Sequence, residues 1–90
     1  TIPAELVAAL HDGAELVRPP GSRFAWRALG DDRATLFADG DGAECPLPLA
    51  RALASRNALD VGILELDGAP ELLAALIDAG SLGWADEFAE

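Results

Sequence analysis

The apolar residues of this chain change their spacing twice along the sequence. Near the N-terminus, Ile2, Leu6 and Leu10 recur at the spacing of one helix face. From Arg23 to Ala28 the residues alternate between two faces, which is the pattern of a half-buried strand. The helical spacing returns after Pro48. A chain with this order can place helices before and after a small antiparallel sheet, so we expect an α+β fold.

Start and stop signals bound the first helix. Pro3 is suited to the first helical turn, His11 falls in the last turn, and Gly13 can adopt the left-handed conformation that ends a helix. A short extended piece over residues 14–17 then leads to Arg18–Gly21. That segment contains two prolines and a glycine, so it is predicted to be a stiff turn.

The centre of the chain is predicted to be a β-meander with turns at residues 29–32 and 39–42. Its three expected strands are Arg23–Ala28, Ala34–Ala38 and Glu44–Cys45. Alternation places Phe24 and Trp26 on the same face of the first strand. We therefore expect Trp26 to be buried, and we expect Phe24, Trp26 and Phe37 to form the core on which the last helix packs.

Helical spacing dominates the last third of the chain. One helix is expected from the proline-rich entry at residues 46–48 to the region of Arg56, whereas residues 60–66 are too short a run to assign. The clearest helix covers residues 70–79 and ends before Gly80. Its apolar face is made of Leu72, Leu73, Leu76 and Ile77. We expect Leu73 to be buried and Ser81–Trp84 to form a last short strand.

The charge of the chain is strongly negative. Six arginines face sixteen acids, which gives a net charge of −10, and the segment Asn57–Glu90 holds eight acids and no base. Nucleic-acid binding depends on basic residues that neutralise phosphates, so nucleic acid and anionic membranes are excluded as partners. The acidic segment is interpreted either as a solvated face or as a surface for a basic protein.

The sequence carries no signal for a membrane or for export. No apolar run approaches about 18 residues, and the N-terminus lacks the basic start and apolar stretch of a signal peptide. The lone Cys45 suits a reducing compartment, so we expect a soluble cytoplasmic protein. Because the chain begins at Thr1 and contains no methionine, we also expect it to be a piece of a longer protein.

No catalytic, cofactor-binding or metal-binding residue is predicted in the chain. His11 is its only histidine and Cys45 its only cysteine, so neither a Ser-His-Asp triad nor a zinc site can be built convincingly. The acidic segment Asp39–Glu44 resembles the start of a calcium loop but lacks the loop's length and flanking helices. It is interpreted as a hairpin turn.

The sequence leaves two interpretations open for the Arg23 and Arg27 pair and two for Trp84. The Arg23 and Arg27 pair can grip a carboxylate or phosphate, but pairing with the surplus acids or covering apolar surface is favoured. Trp84 is either a core residue or an anchor at a protein interface.

Three stretches resemble the C-terminal winged-helix domain of bacterial cupin/JmjC-type ribosomal oxygenases, which hydroxylate ribosomal proteins. They are Pro20–Arg27, the segment Thr35–Gly40 with its proline-rich entry into Leu49–Arg51, and Leu72–Leu82. The resemblance implies a single winged-helix-like domain over residues 1–90, with a small antiparallel β-meander and two to four helices. In that family Fe(II) and 2-oxoglutarate bind in a separate N-terminal cupin domain, and no residue here matches its metal ligands. The chain is therefore expected to be a non-catalytic accessory domain whose partner is the parent catalytic domain or a basic protein or peptide.

Two other functions fit the same order of elements. PqqD-like domains, which recognise precursor peptides, also place three strands before their helices, and their partner is an extended peptide at a sheet edge. A DNA-binding winged helix has the right outline, but the helix over residues 70–79 offers Glu71 and Asp78 where a recognition helix needs basic or amide side chains.

Overall fold

The computed structural model describes residues 1–56 and 58–87. Its three α-helices are α1 (Pro3–His11), α2 (Leu47–Ser55) and α3 (Ala69–Asp78). Its strands are β1 (Leu16–Val17), β2 (Phe24–Ala28), β3 (Arg33–Ala38), β4 (Asp41–Pro46), β5 (Ala58–Leu59) and β6 (Gly83–Trp84). Short 3₁₀ helices cover Val61–Glu65 and Ala85–Glu87. The expected α+β fold is confirmed, and the unassigned residues 60–66 are mostly 3₁₀ helix.

The strands form two antiparallel sheets. A small sheet has the order β5-β1-β6, so it joins three distant parts of the chain through strands of two residues each. The predicted meander forms the larger sheet, in the order β2-β3-β4. In it Trp26 lies opposite Leu36, and Leu36 lies opposite Ala43. Side chains at these paired positions share one face of the sheet.

The third strand of the meander is longer than the sequence predicted. The turn between β3 and β4 uses only Asp39 and Gly40, both with positive φ (52° and 95°). Two such residues make the tight hairpin whose twist matches the strands that it joins. Because the turn is two residues long rather than four, β4 begins at Asp41, not at Glu44.

The inward face of the larger sheet meets the helices in one hydrophobic core. From β3 this core includes Ala34, Leu36 and Ala38, which are all at most 4 % exposed. α2 packs against β2 and β3, while α3 packs against α1 and the first 3₁₀ helix. The largest completely buried side chains are Leu6, Leu10, Leu16, Leu36, Leu49, Leu53, Ile63 and Leu73. The predicted burial of Leu73 is thus confirmed.

The predicted aromatic core under the last helix is wrong in three respects. Trp26 is 38 % exposed because β2 is an edge strand, although it does share the inward face with Phe24. Phe37 is 41 % exposed on the opposite face, since its neighbour Leu36 takes the inward position. The helix that packs on this part of the sheet is α2 rather than α3.

Trp26 and Phe37, which were wrongly predicted to lie in the core, each make a local contact. The guanidinium of Arg51 on α2 lies 5.7 Å from the centre of the Trp26 ring, a cation–π distance. The Phe37 ring lies over Gly42 on β4, where an added Cβ would come within 3.2 Å of the ring. Glycine at this position therefore lets an exposed aromatic ring cover the neighbouring strand.

The Asp39 carboxylate connects three parts of the fold. It accepts hydrogen bonds from the Ser22 hydroxyl (2.7 Å), the Arg23 backbone N–H (2.8 Å) and the Ser81 hydroxyl (2.9 Å). Ser81 is buried and follows α3, so this last bond ties the end of the helix to the hairpin turn. The hydrogen bonds, led by the one from Ser22, hold the pKa of Asp39 below its ordinary value.

Replacing Leu73 should show how much of the stability this core supplies. Leu73→Ala removes a completely buried side chain, so we expect a loss of about 2–5 kcal/mol in the free energy of unfolding. Leu29→Ala is the control, because Leu29 is 54 % exposed and its loss should cost less than about 0.5 kcal/mol. Urea denaturation of both variants gives the values, and equal midpoints would show that the assigned core is wrong.

Asp39 should make the stability depend on acid pH. Since its pKa is lowered by folding, its contribution is complete above the ordinary value of 3.8 and is lost as pH falls through the lower folded value. The difference in stability between the wild type and Asp39→Asn should therefore shrink between pH 7 and acid pH. Denaturation midpoints at both pH values test this, with Asp41→Asn in the same hairpin as the charge control. A difference that does not change with pH would contradict it.

Candidate protein-binding groove

A groove lies between α3 and the outer edge of β4. It has two adjoining parts, of about 160 and 510 Å³, and Leu72 and Ala75 on α3 line both of them. β4 pairs with β3 on one side only, so its other side faces this groove. The groove therefore combines a sheet edge with a helix face.

The smaller part of the groove is apolar. Its base is formed by Leu36, Ala38 and Ala43 of the sheet, and its wall by α3. The helix contributes Leu72, Ala75 and Leu76, and Ala79 follows directly after it. Ala75 and Ala79 are exposed and small, so they leave space beside β4 that larger side chains would fill.

The larger part of the groove is acidic. Glu44 from β4, Asp67 from the turn before α3 and Glu71 from the first turn of α3 line it, together with Arg33. The Arg33 Nε lies 3.2 Å from Glu44 Oε1, and both side chains are about half exposed, so this ion pair contributes little stability. Asp67 and Glu71 are exposed. The lining of this part carries a net negative charge that a cationic ligand would complement.

The groove does not contain a catalytic set. Cys45 is 4 % exposed, and burial raises the pKa of its thiol, which disfavours the nucleophilic thiolate. His11 is the last residue of α1, as the sequence predicted. In the part of the chain that the structure describes, no three histidine, cysteine or carboxylate side chains come together as a metal site requires.

The two features that the sequence left open have different outcomes. Trp84 is half-buried and packs against the core, which favours the structural interpretation. Arg23 and Arg27 are exposed, and neither takes part in an ion pair among residues 1–56 and 58–87. The expected pairing of these two arginines with the surplus acids is therefore not observed there, and their role stays open.

Sequence reasoning did not find the groove. It identified Glu71 and the acidic segment Asn57–Glu90, of which residues 57 and 88–90 lie outside the described part. It did not find Asp67 beside Glu44 or the small residues on α3, because these come together only in three dimensions. Asp78, which the sequence grouped with Glu71, lies away from the groove lining and accepts a 2.6 Å hydrogen bond from the amino group of Thr1.

Among the helices that the structure describes, none has the length and apolar character that a bilayer crossing requires. The exposed positions of α3 include Glu71, Ala75 and Asp78, and no basic residue occurs in this helix. A recognition helix in the DNA major groove needs donors for base edges and phosphates. α3 does not supply them.

Comparisons with known proteins agree with this fold. The model of the family described as ROXA-like winged helix matches residues 2–83. The structure of the Escherichia coli ribosomal oxygenase YcfD with cobalt and succinic acid is 32% identical over 94% of this chain, with a TM-score of 0.75. The structure of YcfD described as a ribosomal oxygenase from Escherichia coli is 33% identical over 92% of this chain, with a TM-score of 0.73.

The matched region is a minor part of those oxygenases. The chain covers 24% of the first structure and 23% of the second. A third YcfD structure, with cobalt and 2-oxoglutarate, is 32% identical over 92% of this chain and 23% of its own length, with a TM-score of 0.71. None of the curated proteins matches the chain. The expected resemblance to the winged-helix domain of ribosomal oxygenases is confirmed.

The charge of α3 and of the groove generates a prediction about nucleic acid. We expect no binding of labelled duplex DNA or single-stranded RNA at about 0.15 M salt and roughly micromolar protein, because non-specific binding depends on phosphate neutralisation. Fluorescence anisotropy measures this, and a salt titration serves as the control. An affinity in the micromolar range that falls steeply with added salt would contradict the prediction.

Proposed function

We propose, since this chain belongs to the ROXA-like winged helix family, that it is the non-catalytic accessory domain of a ribosomal oxygenase. The acidic groove between α3 and β4 is the observation that carries the proposal. Its apolar wall on α3 and its acidic lining beside an open strand edge support a role in holding a protein segment. The domain then serves the parent enzyme by binding, and the reaction takes place elsewhere in the parent.

The chemistry of the parent is part of the same proposal. The similar YcfD structures contain cobalt with succinic acid or with 2-oxoglutarate. We assign an Fe(II) site and a 2-oxoglutarate site to a separate cupin domain of the parent, since this chain covers only 24% and 23% of those structures. Neither group is expected to bind to this chain.

The charge of the domain favours a basic protein as its partner. With a net charge of −10, the chain creates a field that attracts positive surfaces over roughly the screening length of about 8 Å at physiological salt. The partner in this proposal is either a basic ribosomal protein or a basic face of the parent catalytic domain. The similarity to a bacterial ribosomal oxygenase supports a cytoplasmic location.

The PqqD-like alternative gains no support from the comparisons, which point to ribosomal oxygenases. Its binding mode, an extended peptide at a sheet edge beside a helix, is nevertheless compatible with the geometry of the groove. We therefore set aside the PqqD-like family but keep its binding mode, in which an extended peptide pairs with a sheet edge.

Deleting the domain from its parent enzyme tests the accessory role. We expect the reading frame that contains this chain to encode a cupin with an HxD motif. The encoded enzyme is then expressed with and without residues 1–90. Without them we expect 2-oxoglutarate turnover in the absence of protein substrate to persist. The KM for the ribosomal protein should rise about ten-fold, which corresponds to about 1.4 kcal/mol of lost binding.

The control is the parent enzyme with Glu5→Lys, which changes an exposed acid of α1 outside the groove lining. It should retain the KM of the intact enzyme. A reading frame without a cupin would contradict the proposal, and so would a deletion that leaves the KM for the ribosomal protein unchanged.

A further inference from the structure

We propose that the groove binds an extended cationic protein segment, which pairs with β4 as a fourth strand of the larger sheet. This inference rests on the proposed binding role of the groove and adds the conformation and chemistry of its occupant. Three independent observations support it: the direction of the free backbone groups of β4, the small residues on and just after α3, and the acids that line the groove.

The hairpin geometry determines which backbone groups of β4 point into the groove. In a two-residue hairpin the closing pair, here Ala38 and Asp41, is hydrogen-bonded, and every second pair after it is hydrogen-bonded too. The 2.9 Å bond from Leu47 N–H to the Asp32 carbonyl continues this alternation at the far end of β4. Gly42 and Glu44 therefore direct their N–H and C=O groups away from β3. These groups are a template for another strand.

The helix leaves this template accessible. Edge strands in soluble proteins are normally covered, shortened or interrupted, because an open edge invites pairing. Here α3 runs beside the edge, but Ala75 on the helix and Ala79 just after it line the space between them, so a groove remains where a larger side chain would close it. A strand in this groove would place alternate side chains against Leu72 and Ala75, and small apolar residues fit that space.

The acids determine the charge of the occupant. Asp67 and Glu71 line the groove near the start of α3, and Asp41 lines it at the hairpin end. Arg33 is the basic residue in the lining and forms an ion pair with Glu44. A segment that alternates small apolar residues with arginine or lysine complements both the apolar wall and these carboxylates. A second copy of this chain is disfavoured, because each copy carries a net charge of −10.

A peptide titration of the 90-residue chain tests the binding mode directly. The probe is a synthetic peptide of about eight residues that alternates arginine with alanine or valine, a typical strand length. Hydrogen exchange followed by NMR should show new protection at the amides of Gly42 and Glu44. The amides of Ala43 and Cys45, which already face β3, should change little. A matched peptide with glutamate in place of arginine should not bind.

Matched variants separate the groove from the overall charge. Glu71→Lys and Glu5→Lys both reverse an acid in the first turn of a helix, but only Glu71 lines the groove. Glu71→Lys should weaken the arginine peptide about five-fold or more, whereas Glu5→Lys should weaken it less than two-fold. Ala75→Trp should abolish binding by filling the groove, and Ala8→Trp on the exposed side of α1 should not.

Several outcomes would overturn the inference. They are no binding of the arginine peptide at millimolar concentration, binding without protection of Gly42 and Glu44, and equal effects of Glu71→Lys and Glu5→Lys. None of these outcomes touches the deletion experiment on the parent enzyme, so failure of this binding mode is distinguishable from failure of the accessory role. Self-association of the chain alone, detected by sedimentation and accompanied by protection of the Gly42 and Glu44 amides, would also overturn it.

Discussion

The hydrogen bonds to Asp39 determine where α3 lies relative to the sheet. The carboxylate sits in the β3–β4 turn and binds Ser22 and Arg23 before β2 and Ser81 after α3. The last of these bonds spans 42 positions of sequence and fixes the end of the helix at the hairpin end of the groove. At the other end, Gly68 precedes α3 and lies close to β4, since a Cβ added there would come within 3.7 Å of Pro46. The groove is the space between these two ends. A charge-assisted bond to a buried hydroxyl thus positions the surface on which the proposed function depends.

Periodicity was sufficient to predict the order of the three helices and the meander, because it reports which residues face the core. It identified α1, the meander and α3, and it placed Leu73 in the interior. It failed where two neighbouring apolar residues compete for one inward position. Leu36 and Phe37 are adjacent in a strand, so only one can face inward, and the smaller side chain takes the position beneath the helices. Trp26 was misjudged for a related reason, since alternation gives the face of a residue but not its distance from the sheet edge.

The groove could not be predicted from the sequence, because it is a space that the side chains of neighbouring elements leave unfilled. Ala75 and Ala79 read as ordinary helix residues in the sequence, and nothing local shows that they face an edge strand. Asp67 and Glu71 likewise read as solvated charges until the structure places them along the same groove as Glu44. The sequence could show the acidic surplus of the C-terminal third, but only the fold shows where this surplus meets an open strand edge.

A winged-helix outline does not by itself imply nucleic-acid binding, and the reason here is electrostatic. α3, which a DNA-binding winged helix would place in the major groove, has no basic residue in this chain and carries Glu71 in its first turn. The same negative charge has a second consequence. An exposed strand edge is normally a hazard, because identical edges pair with each other. Copies that each carry a charge of −10 repel one another, so the edge can stay open to a basic partner while self-association is disfavoured. On this argument the acidity that disfavours DNA binding also makes an open edge tolerable, because one negative charge repels both the phosphates of DNA and further copies of the chain.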